Sequence, residues 1–248
     1  MERDVRQSTE NTLMYHLVEL RSRLIRCIVA TVIVVLVLSP FSDTIYLFLA
    51  EPMLEQLPAQ GSLVATKVAS PFLTPFKLLL FLSFLVALPF ILFQIWAFIA
   101  PGLYDSERRL IFPLVFSTTV LFYLGILFAY YVIFPIIFAF FASTTPEGVN
   151  LMTDISEYLS FCIKLFLAFG LAFEVPLVTF VLIRSGLTTI EAMRKKRPYI
   201  ILVAFILGML LTPPDFVSQI LLALPIWMLF EIALILTSIL GGGVTNNQ

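Results

Sequence analysis

The chain has 248 residues, of which 60% are hydrophobic and 12% charged, and its mean hydropathy is +1.03. A soluble domain carries about 45–50% apolar and about 25% charged residues, so this composition excludes an ordinary soluble protein and indicates an integral membrane protein. The formal net charge of -1 gives no overall field that would attract nucleic acid, and none is expected as a partner. Cys27 and Cys162 lie in apolar stretches without metal-ligand spacing, so neither metal nor redox chemistry is expected.

Six apolar segments predict an all-α polytopic membrane protein, built as one membrane domain over residues 1–248 with a mobile tail at 241–248. The predicted spans lie at about 24–38, 76–99, 110–134, 159–183, 198–211 and 216–236. The first segment is expected to stay in the mature protein. Acidic residues precede it, and Ser39-Pro40-Phe41 is a poor cleavage site for a signal peptidase.

Two longer loops are predicted on one side of the membrane. Residues 39–75 are rich in proline, including Pro52, and predict a structured loop with a short helix at about 43–50. The polar stretch 142–158 predicts the second loop.

The basic residues lie on the opposite side of the predicted spans. Five arginines precede or begin the first span, two follow the second and five bases follow the fourth, which makes twelve of the fifteen. Because cytoplasmic loops are enriched in Lys and Arg, both termini are predicted to be cytoplasmic and the two longer loops exterior.

The last two spans form a hairpin that is predicted to be shorter than the membrane is thick. The apolar stretch of span five runs from Tyr199 to Leu211, and its thirteen residues cover about 20 Å of roughly 30 Å of hydrocarbon. Span six is interrupted by Gln219, Pro225 and Glu231. The hairpin is therefore predicted to thin the bilayer or to dock a partner subunit. The alternative is that it sits shallow while its flanking residues reach the interface.

Glu174 lies near the middle of span four, beside Pro176. A carboxylate in hydrocarbon costs about 2.5–3.5 kcal/mol even on the gentlest scale, so Glu174 is predicted to be a functional group that is protonated, paired or facing water. The alternative is a structural hydrogen bond to a neighbouring helix. Lys164 is ten residues away, nearly three helical turns, and is too far to pair with it.

The sequence contains no recognisable catalytic constellation. His16 is the single histidine, and the spans hold no Ser–His pair, aspartate pair or phosphate-binding loop. Glu19 and Glu107 each lie beside arginines at the ends of predicted spans. By themselves they are typical of solvated interfacial charges, whose salt bridges contribute about 0–1 kcal/mol. The chain is therefore not expected to be an enzyme or to need a cofactor.

Seven short motifs together resemble the TatC family, the multi-spanning subunits of the twin-arginine protein translocase. They are YHLVELRSRL at 15–24, VASPF at 68–72, QIWAFIAPGLY at 94–104 followed by Glu107-Arg108-Arg109, SF at 160–161, FEVP at 173–176, RKKRPY at 194–199 and LTPPD at 211–215. Each motif is weak alone. Their order, their spacing and the predicted six-span topology make the resemblance specific over about residues 13–236.

The resemblance implies a receptor that binds the paired arginines of a signal peptide on a folded cargo protein. It places the receptor carboxylates at Glu19 and Glu107, with Arg21 and Phe98 in the same site. A guanidinium offers a planar fork of donors that a carboxylate accepts in two parallel bonds, which a lysine ammonium cannot reproduce. The neighbouring arginines would keep both carboxylates ionised and would also repel an incoming cation, and the sequence leaves that balance open. Glu174 would face a wet cavity.

The resemblance further implies a concave, glove-like arrangement of six helices in the bacterial inner membrane. The partners would be TatA- and TatB-type single-span subunits and further copies of the chain, with export driven by the proton-motive force. Partner docking would use Met209, Thr212 and Gln219, although the Thr and Gln side chains could equally bond within the hairpin. Pro52 and Asp215 would be structural or functional positions in the loops.

A proton-coupled secondary transporter that uses Glu174 is the main alternative function. It predicts internal repeats with broken helices in matching halves, and no repeat is visible between residues 1–109 and 110–248. A purely structural scaffold would leave Glu19, Glu107 and Glu174 unexplained. The sequence therefore favours the translocase receptor.

Overall fold

The structure, a computed structural model, describes residues 2–41, 44–45, 48–49, 62–99, 111–144, 152–212 and 216–241, with side chains from Leu17 onward except at a few range ends. The helices are α1 (Glu2–Leu38), α2 (Ser70–Ile99), α3 (Ile111–Phe128), α4 (Phe134–Ser143), α5 (Ile155–Phe173), α6 (Val175–Arg184), α7 (Ile190–Lys195), α8 (Arg197–Leu211) and α9 (Phe216–Gly241), and the strands are β1 (Ser62–Val64) and β2 (Met152–Asp154). The chain divides into two compact units. The first unit contains residues 1–43 and 75–119, and the second contains residues 44–74 and 120–248.

Each predicted span is largely helical over its described residues, which confirms the polytopic helical fold. The third span runs from α3 into α4, and the fourth crosses a turn at Glu174 between α5 and α6. Five apolar stretches are long enough to cross a membrane, and Arg197–Leu211 is a shorter apolar helix; the five are Leu17–Phe41, Ser70–Phe98, Phe112–Ser143, Ile155–Arg184 and Phe216–Ile239. The largest difference from the predicted boundaries lies at the start of the first helix, since α1 begins at Glu2 rather than at about 24. Two further differences lie at prolines. Helix α2 begins at Ser70 rather than at 76, because Pro71 in its first turn lacks only an N–H that would be unbonded there.

The third span is longer than predicted because a π turn carries the helix past Pro135. The prediction ended the helix at 134, whereas it continues from α3 through Ala129–Ile133 into α4 and ends at Ser143. The N–H of Phe134 donates to the carbonyl of Ala129 across this wider turn. The wider turn accommodates the proline ring that follows, so the helix is not broken.

Two short strands, which the sequence did not predict, join the two longer loops. Strand β1 pairs in parallel with β2, with Ser62 opposite Met152. Of the predicted helix at 43–50, residues 44–45 and 48–49 are described and helical, and the rest lies outside the described residues. The hydroxyls of Tyr130 and Tyr158 donate to the carbonyls of Phe48 and Leu49, at 2.8 Å each, and hold this segment against the helices of the second unit.

Asp154 fastens the strand pair to the start of α5. Its Oδ2 accepts from the backbone N–H of Thr66 at 2.9 Å and also from the Thr66 hydroxyl. Its Oδ1 accepts from the backbone N–H groups of Ser156 at 2.8 Å and Glu157 at 3.1 Å, which caps the helix. The side-chain and backbone hydrogen bonds from Thr66 hold the pKa of Asp154 well below its ordinary value.

The second unit has an aromatic core in which Phe134, Phe169 and Phe230 are fully buried. Helices α3 and α5 approach closely at Gly125, where an added Cβ would overlap the carbonyl oxygen of Phe169. A Cβ on Gly170 would lie 2.7 Å from the ring of Phe122. Gly125 therefore allows a close approach of two backbones, and Gly170 leaves room for the ring of Phe122.

Helix α9 corrects the prediction that the sixth span is short and broken. It has 26 residues, about 39 Å at the helical rise, and runs without a break through Pro225. Helix α8 has 15 residues, about 22 Å, and is short among the apolar helices of the described ranges, as predicted. The predicted tail at 241–248 begins inside α9, since the helix includes Gly241, and residues 242–248 lie outside the described residues.

Candidate functional site

A charged cluster joins α1 to the last turns of α2 in the first unit. Arg23 donates to Oε1 of Glu19 from Nε at 3.0 Å and from Nη2 at 2.7 Å. Its Nη1 donates to the side-chain oxygen of Gln94 at 3.1 Å, and Nη2 also donates to the carbonyl of Ala97 at 3.1 Å. The side chains of Arg23 and Glu19 are only 20% and 21% exposed, so the pair is partly shielded from water.

The carboxylate of Glu19 keeps an open acceptor. Both bonds from Arg23 end on Oε1, and no described residue donates to Oε2. A carboxylate has about four lone-pair sites on its two oxygens, so half of its capacity is unused. This arrangement can accept a further charged donor, and a guanidinium gives the strongest match.

The sequence did not distinguish between Arg21 and Arg23 as neighbours of Glu19. In the structure, Arg23 is the one that contacts Glu19. Arg23 lies four residues after Glu19, on the same helical face, whereas Arg21 lies two residues away and is exposed. Phe98 is half-buried in the last turn of α2. Glu107 lies outside the described residues, so its predicted approach to Glu19 stays a prediction.

The sequence analysis did not identify Arg23 and Gln94 of this cluster as site residues. The spacing of four between Glu19 and Arg23 was a usable signal, because side chains four apart on a helix are neighbours. Gln94 gave no such signal, since its contact with Arg23 bridges 71 positions of the chain.

Glu174 lies at the turn between α5 and α6, just before Pro176. Both carboxylate oxygens are shielded from water, and neither has a hydrogen-bond partner in the part of the chain that the structure describes. The structural alternative, a hydrogen bond to a neighbouring helix, therefore gains no support there. An unsatisfied buried carboxylate calls for an explanation by function.

Thr212 and Gln219, predicted to dock a partner, form hydrogen bonds within the last hairpin. The Thr212 hydroxyl donates to the carbonyl of Gly208 at 2.9 Å. The side-chain amide of Gln219 donates to the carbonyl of Phe205 at 2.9 Å and ties α9 to α8. Met209 is 53% exposed. Gln219 thus joins the two helices of the hairpin, Thr212 bonds within the end of α8, and Met209 is the most exposed of the three residues.

An apolar groove of about 230 Å³ lies between α8 and α9. It is lined by Ile201, Ala204, Phe205, Ile220, Ala223, Leu224 and Trp227. Beyond this apolar stretch, Nη2 of Arg197 donates to Oε2 of Glu231 at 2.6 Å and joins the same two helices. The hairpin is therefore fixed by polar contacts on either side of an open apolar surface.

The predicted loop positions Pro52 and Asp215 lie outside the described residues. Within the described ranges, no three His, Cys, Asp or Glu side chains come together as metal ligands.

Comparison with known proteins gives a consistent family assignment. Residues 15–225 match the family model of the Sec-independent protein translocase protein (TatC). The chain is 52% identical over 223 residues to the TatC of Haemophilus influenzae, covering 90% of this chain and 87% of the relative. It is 49% identical over 243 residues to the TatC of Escherichia coli K12, covering 97% and 94%. The fold is similar to a crystal structure of the twin-arginine translocase receptor TatC, with a TM-score of 0.80 and 36% identity over 90% of this chain and 98% of that one.

Proposed function

Because this chain belongs to the TatC family and is a core subunit of a Sec-independent protein translocase, we propose that Glu19 and Glu107 bind the paired arginines of a signal peptide. This proposal rests on the contact between Arg23 and Glu19. Nη2 of Arg23 donates to Oε1 of Glu19 at 2.7 Å, and both side chains are partly buried. The carboxylate of Glu19 is thus already a guanidinium acceptor, and no residue in the described part of the chain donates to its second oxygen.

The chemistry of this carboxylate favours arginine over lysine. A guanidinium can direct two parallel N–H bonds at a carboxylate, and charge-assisted bonds in a shielded place are about twice as strong as neutral ones. A lysine ammonium is a compact charge whose donors cannot match that geometry. Glu19 therefore supplies a physical reason for a paired-arginine signal.

Glu107, Arg21 and Phe98 complete the proposed site. Glu107 follows the end of α2 by eight positions and would accept the second arginine. Arg21 lies exposed two residues after Glu19 and is proposed as a further residue of the site. Phe98 sits one residue after Ala97 and would offer an aromatic face to the guanidinium.

The hairpin of α8 and α9 is the proposed docking site for TatA- and TatB-type single-span subunits. Helix α8 is too short to cross the hydrocarbon alone, and the groove beside it is apolar. Met209 lies exposed on this hairpin and would contact the partner helix. Thr212 and Gln219 would act by holding the hairpin in shape, and a partner could also bond to them.

Glu174 is proposed as a functional intramembrane carboxylate that faces water during transport. Its two shielded oxygens, without a partner among the described residues, support this role.

Pro52 and Asp215 are proposed as structural or functional loop positions. The secondary-transporter alternative is not favoured, because the matched relatives and solved structures are translocase proteins.

The remaining features of the proposal follow from the family and the charge distribution. The chain is a multi-pass membrane protein, and we place it in the bacterial inner membrane with both termini cytoplasmic and the helices in a concave arrangement. It would act as one membrane domain, assemble with further copies of itself and export folded cargo by the proton-motive force. Neither catalysis nor a cofactor nor nucleic acid enters the proposal.

A binding measurement tests the proposed receptor site. The purified full chain is titrated in detergent with a labelled twin-arginine peptide and with its lysine-pair twin. The expected result is arginine-selective binding that is lost in the Glu19→Ala, Glu107→Ala double variant, while the variant still inserts and folds. Equal binding of both peptides by the wild type would contradict the proposal. Loss of folding in the variant would assign the two carboxylates a structural role instead.

A further inference from the structure

The contacts of Arg23 point to a role that rests on the proposed function and deepens it. We propose that Arg23, anchored by Gln94 and the carbonyl of Ala97, is a positioning residue that holds Glu19 by Oε1 and leaves Oε2 to receive a signal-peptide arginine. Arg23 and the peptide arginine would then share one carboxylate rather than compete for it.

Arg23 is bound from three directions. Its guanidinium has five N–H donors, and four donor–acceptor contacts use them: two to Glu19, one to Gln94 and one to Ala97. A planar group held at three acceptors has little freedom to rotate. The position of Oε1 is therefore fixed relative to the end of α2.

The end of α2 is a favourable place for the positive charge of Arg23. The last four carbonyls of a helix have no partner within the helix, and the negative end of the helix dipole lies there. Ala97 is in this last turn, and its carbonyl accepts from Nη2 at 3.1 Å. The carbonyl of Ala97 thus offsets part of the positive charge of Arg23, which lowers the repulsion felt by an incoming arginine.

Gln94 provides a fixed anchor for Arg23. Its residue is only 6% exposed, and its side-chain oxygen accepts from Nη1 at 3.1 Å. A buried amide is costly to leave without a partner, so Gln94 and Arg23 stabilise each other's position. Gln94 acts on Glu19 only through Arg23.

A lysine at position 23 could not take this role. Its ammonium carries three donors at a single point and cannot reach Glu19, Gln94 and Ala97 at the same time. Arg23→Lys therefore keeps the charge but releases Glu19 from its fixed position. Arg26 lies in the same helix, is exposed and has no ion-pair partner among the described residues, so Arg26→Lys is the matched control.

The test compares affinities for the twin-arginine peptide and its lysine-pair twin in the full chain, reconstituted in lipid nanodiscs. The variants are Arg23→Lys, Gln94→Met, Arg26→Lys and Glu19→Gln. Arg23→Lys is expected to weaken twin-arginine binding about tenfold and to leave the lysine-pair affinity nearly unchanged, so the ratio of the two affinities falls. Gln94→Met is expected to act in the same direction by about threefold, and Arg26→Lys to match the wild type within about twofold.

The selectivity ratio separates positioning from simple support of the fold. A purely structural role would lower the thermal midpoint and reduce both affinities equally, and that result would overturn the inference. Tighter twin-arginine binding in Arg23→Lys would also overturn it, because Arg23 would then be a competitor. If Glu19→Gln loses selectivity while Arg23→Lys keeps it, the positioning role of Arg23 is wrong and the proposed receptor site at Glu19 still stands. If Glu19→Gln keeps selectivity, the proposed receptor site fails and the inference falls with it.

Discussion

Two carboxylates, one in each unit of the chain, are held by the chain in different ways. Asp154 directly binds Thr66, which is distant in sequence, whereas Glu19 binds Arg23 of its own helix, and Arg23 reaches Gln94. Asp154 uses both oxygens on the chain itself, with Oδ2 on Thr66 and Oδ1 on Ser156. Glu19 uses only Oε1, on Arg23, and its Oε2 has no donor among the described residues. Both are held by charge-assisted bonds, so the number of open oxygens is what separates them.

This difference supports a structural role for Asp154 and the proposed binding role for Glu19. Asp154 has no capacity left for a further partner without giving up the cap of α5 or the bond to Thr66. Glu19 can take a cation at Oε2 without giving up Arg23. Changes at Asp154 should therefore alter stability, and changes at Glu19 should alter recognition.

The largest expected effect is on peptide binding in Glu19→Gln. The amide is neutral and removes a charge-assisted bond, which contributes about 1.5–3 kcal/mol, so twin-arginine affinity should fall about 10- to 100-fold. Isothermal titration of the purified chain measures this. A twin-arginine affinity within twofold of the wild type would show that Glu19 is not a binding carboxylate.

Asp154→Ala should produce the opposite pattern. It removes the cap of α5 and both bonds from Thr66, so the thermal midpoint should fall by a few degrees. Twin-arginine affinity should be unchanged. Unfolding followed by the fluorescence of Trp96 and Trp227 gives the midpoint, and a matching loss of peptide affinity would count against a purely structural Asp154.

The structural role of Asp154 also predicts how the stability of the protein depends on pH. The pKa of Asp154 is lowered in the folded chain by the bonds from Thr66. Its contribution is therefore fully present above the ordinary aspartate value of about 4, and it is lost as the pH falls below that value toward the folded pKa. The midpoint difference between wild type and Asp154→Asn should be largest near neutral pH and should narrow below about pH 4. A difference that stays constant from pH 7 to pH 3 would contradict this assignment.

Thr66→Val should give the smallest effect. It removes the hydroxyl donor but leaves the backbone N–H bond to Asp154 at 2.9 Å, so the midpoint should fall less than in Asp154→Ala. Thr66→Ser keeps the hydroxyl and serves as the control. A fall in Thr66→Val as large as in Asp154→Ala would mean that the hydroxyl bond alone holds the loops together.

The sequence predicted the helices well because apolar runs of membrane length have few alternative structures. It was less successful where tertiary context offsets a local signal. The π turn before Pro135 and the unbroken path of α9 through Pro225 are examples, since both prolines predicted an end or an interruption of a helix.

The candidate site was only partly predictable from the sequence. Glu19 could be identified by resemblance, and the spacing of four to Arg23 was available. The contact between Arg23 and Gln94 bridges 71 positions, and a single sequence carries no local pattern for such a pair. The strand pair of β1 and β2 is equally non-local, since three-residue strands give too short a pattern to recognise.

A double-mutant cycle between the receptor and the peptide shows whether Glu19 contacts an arginine of the signal. Binding is measured for wild type and Glu19→Gln against the twin-arginine peptide and against peptides with either arginine replaced by lysine. If Glu19 binds one arginine through a guanidinium–carboxylate contact, replacing that arginine should cost about tenfold in the wild type and almost nothing in Glu19→Gln. Equal losses in both proteins, for either arginine, would show that Glu19 does not contact the signal and would contradict the account.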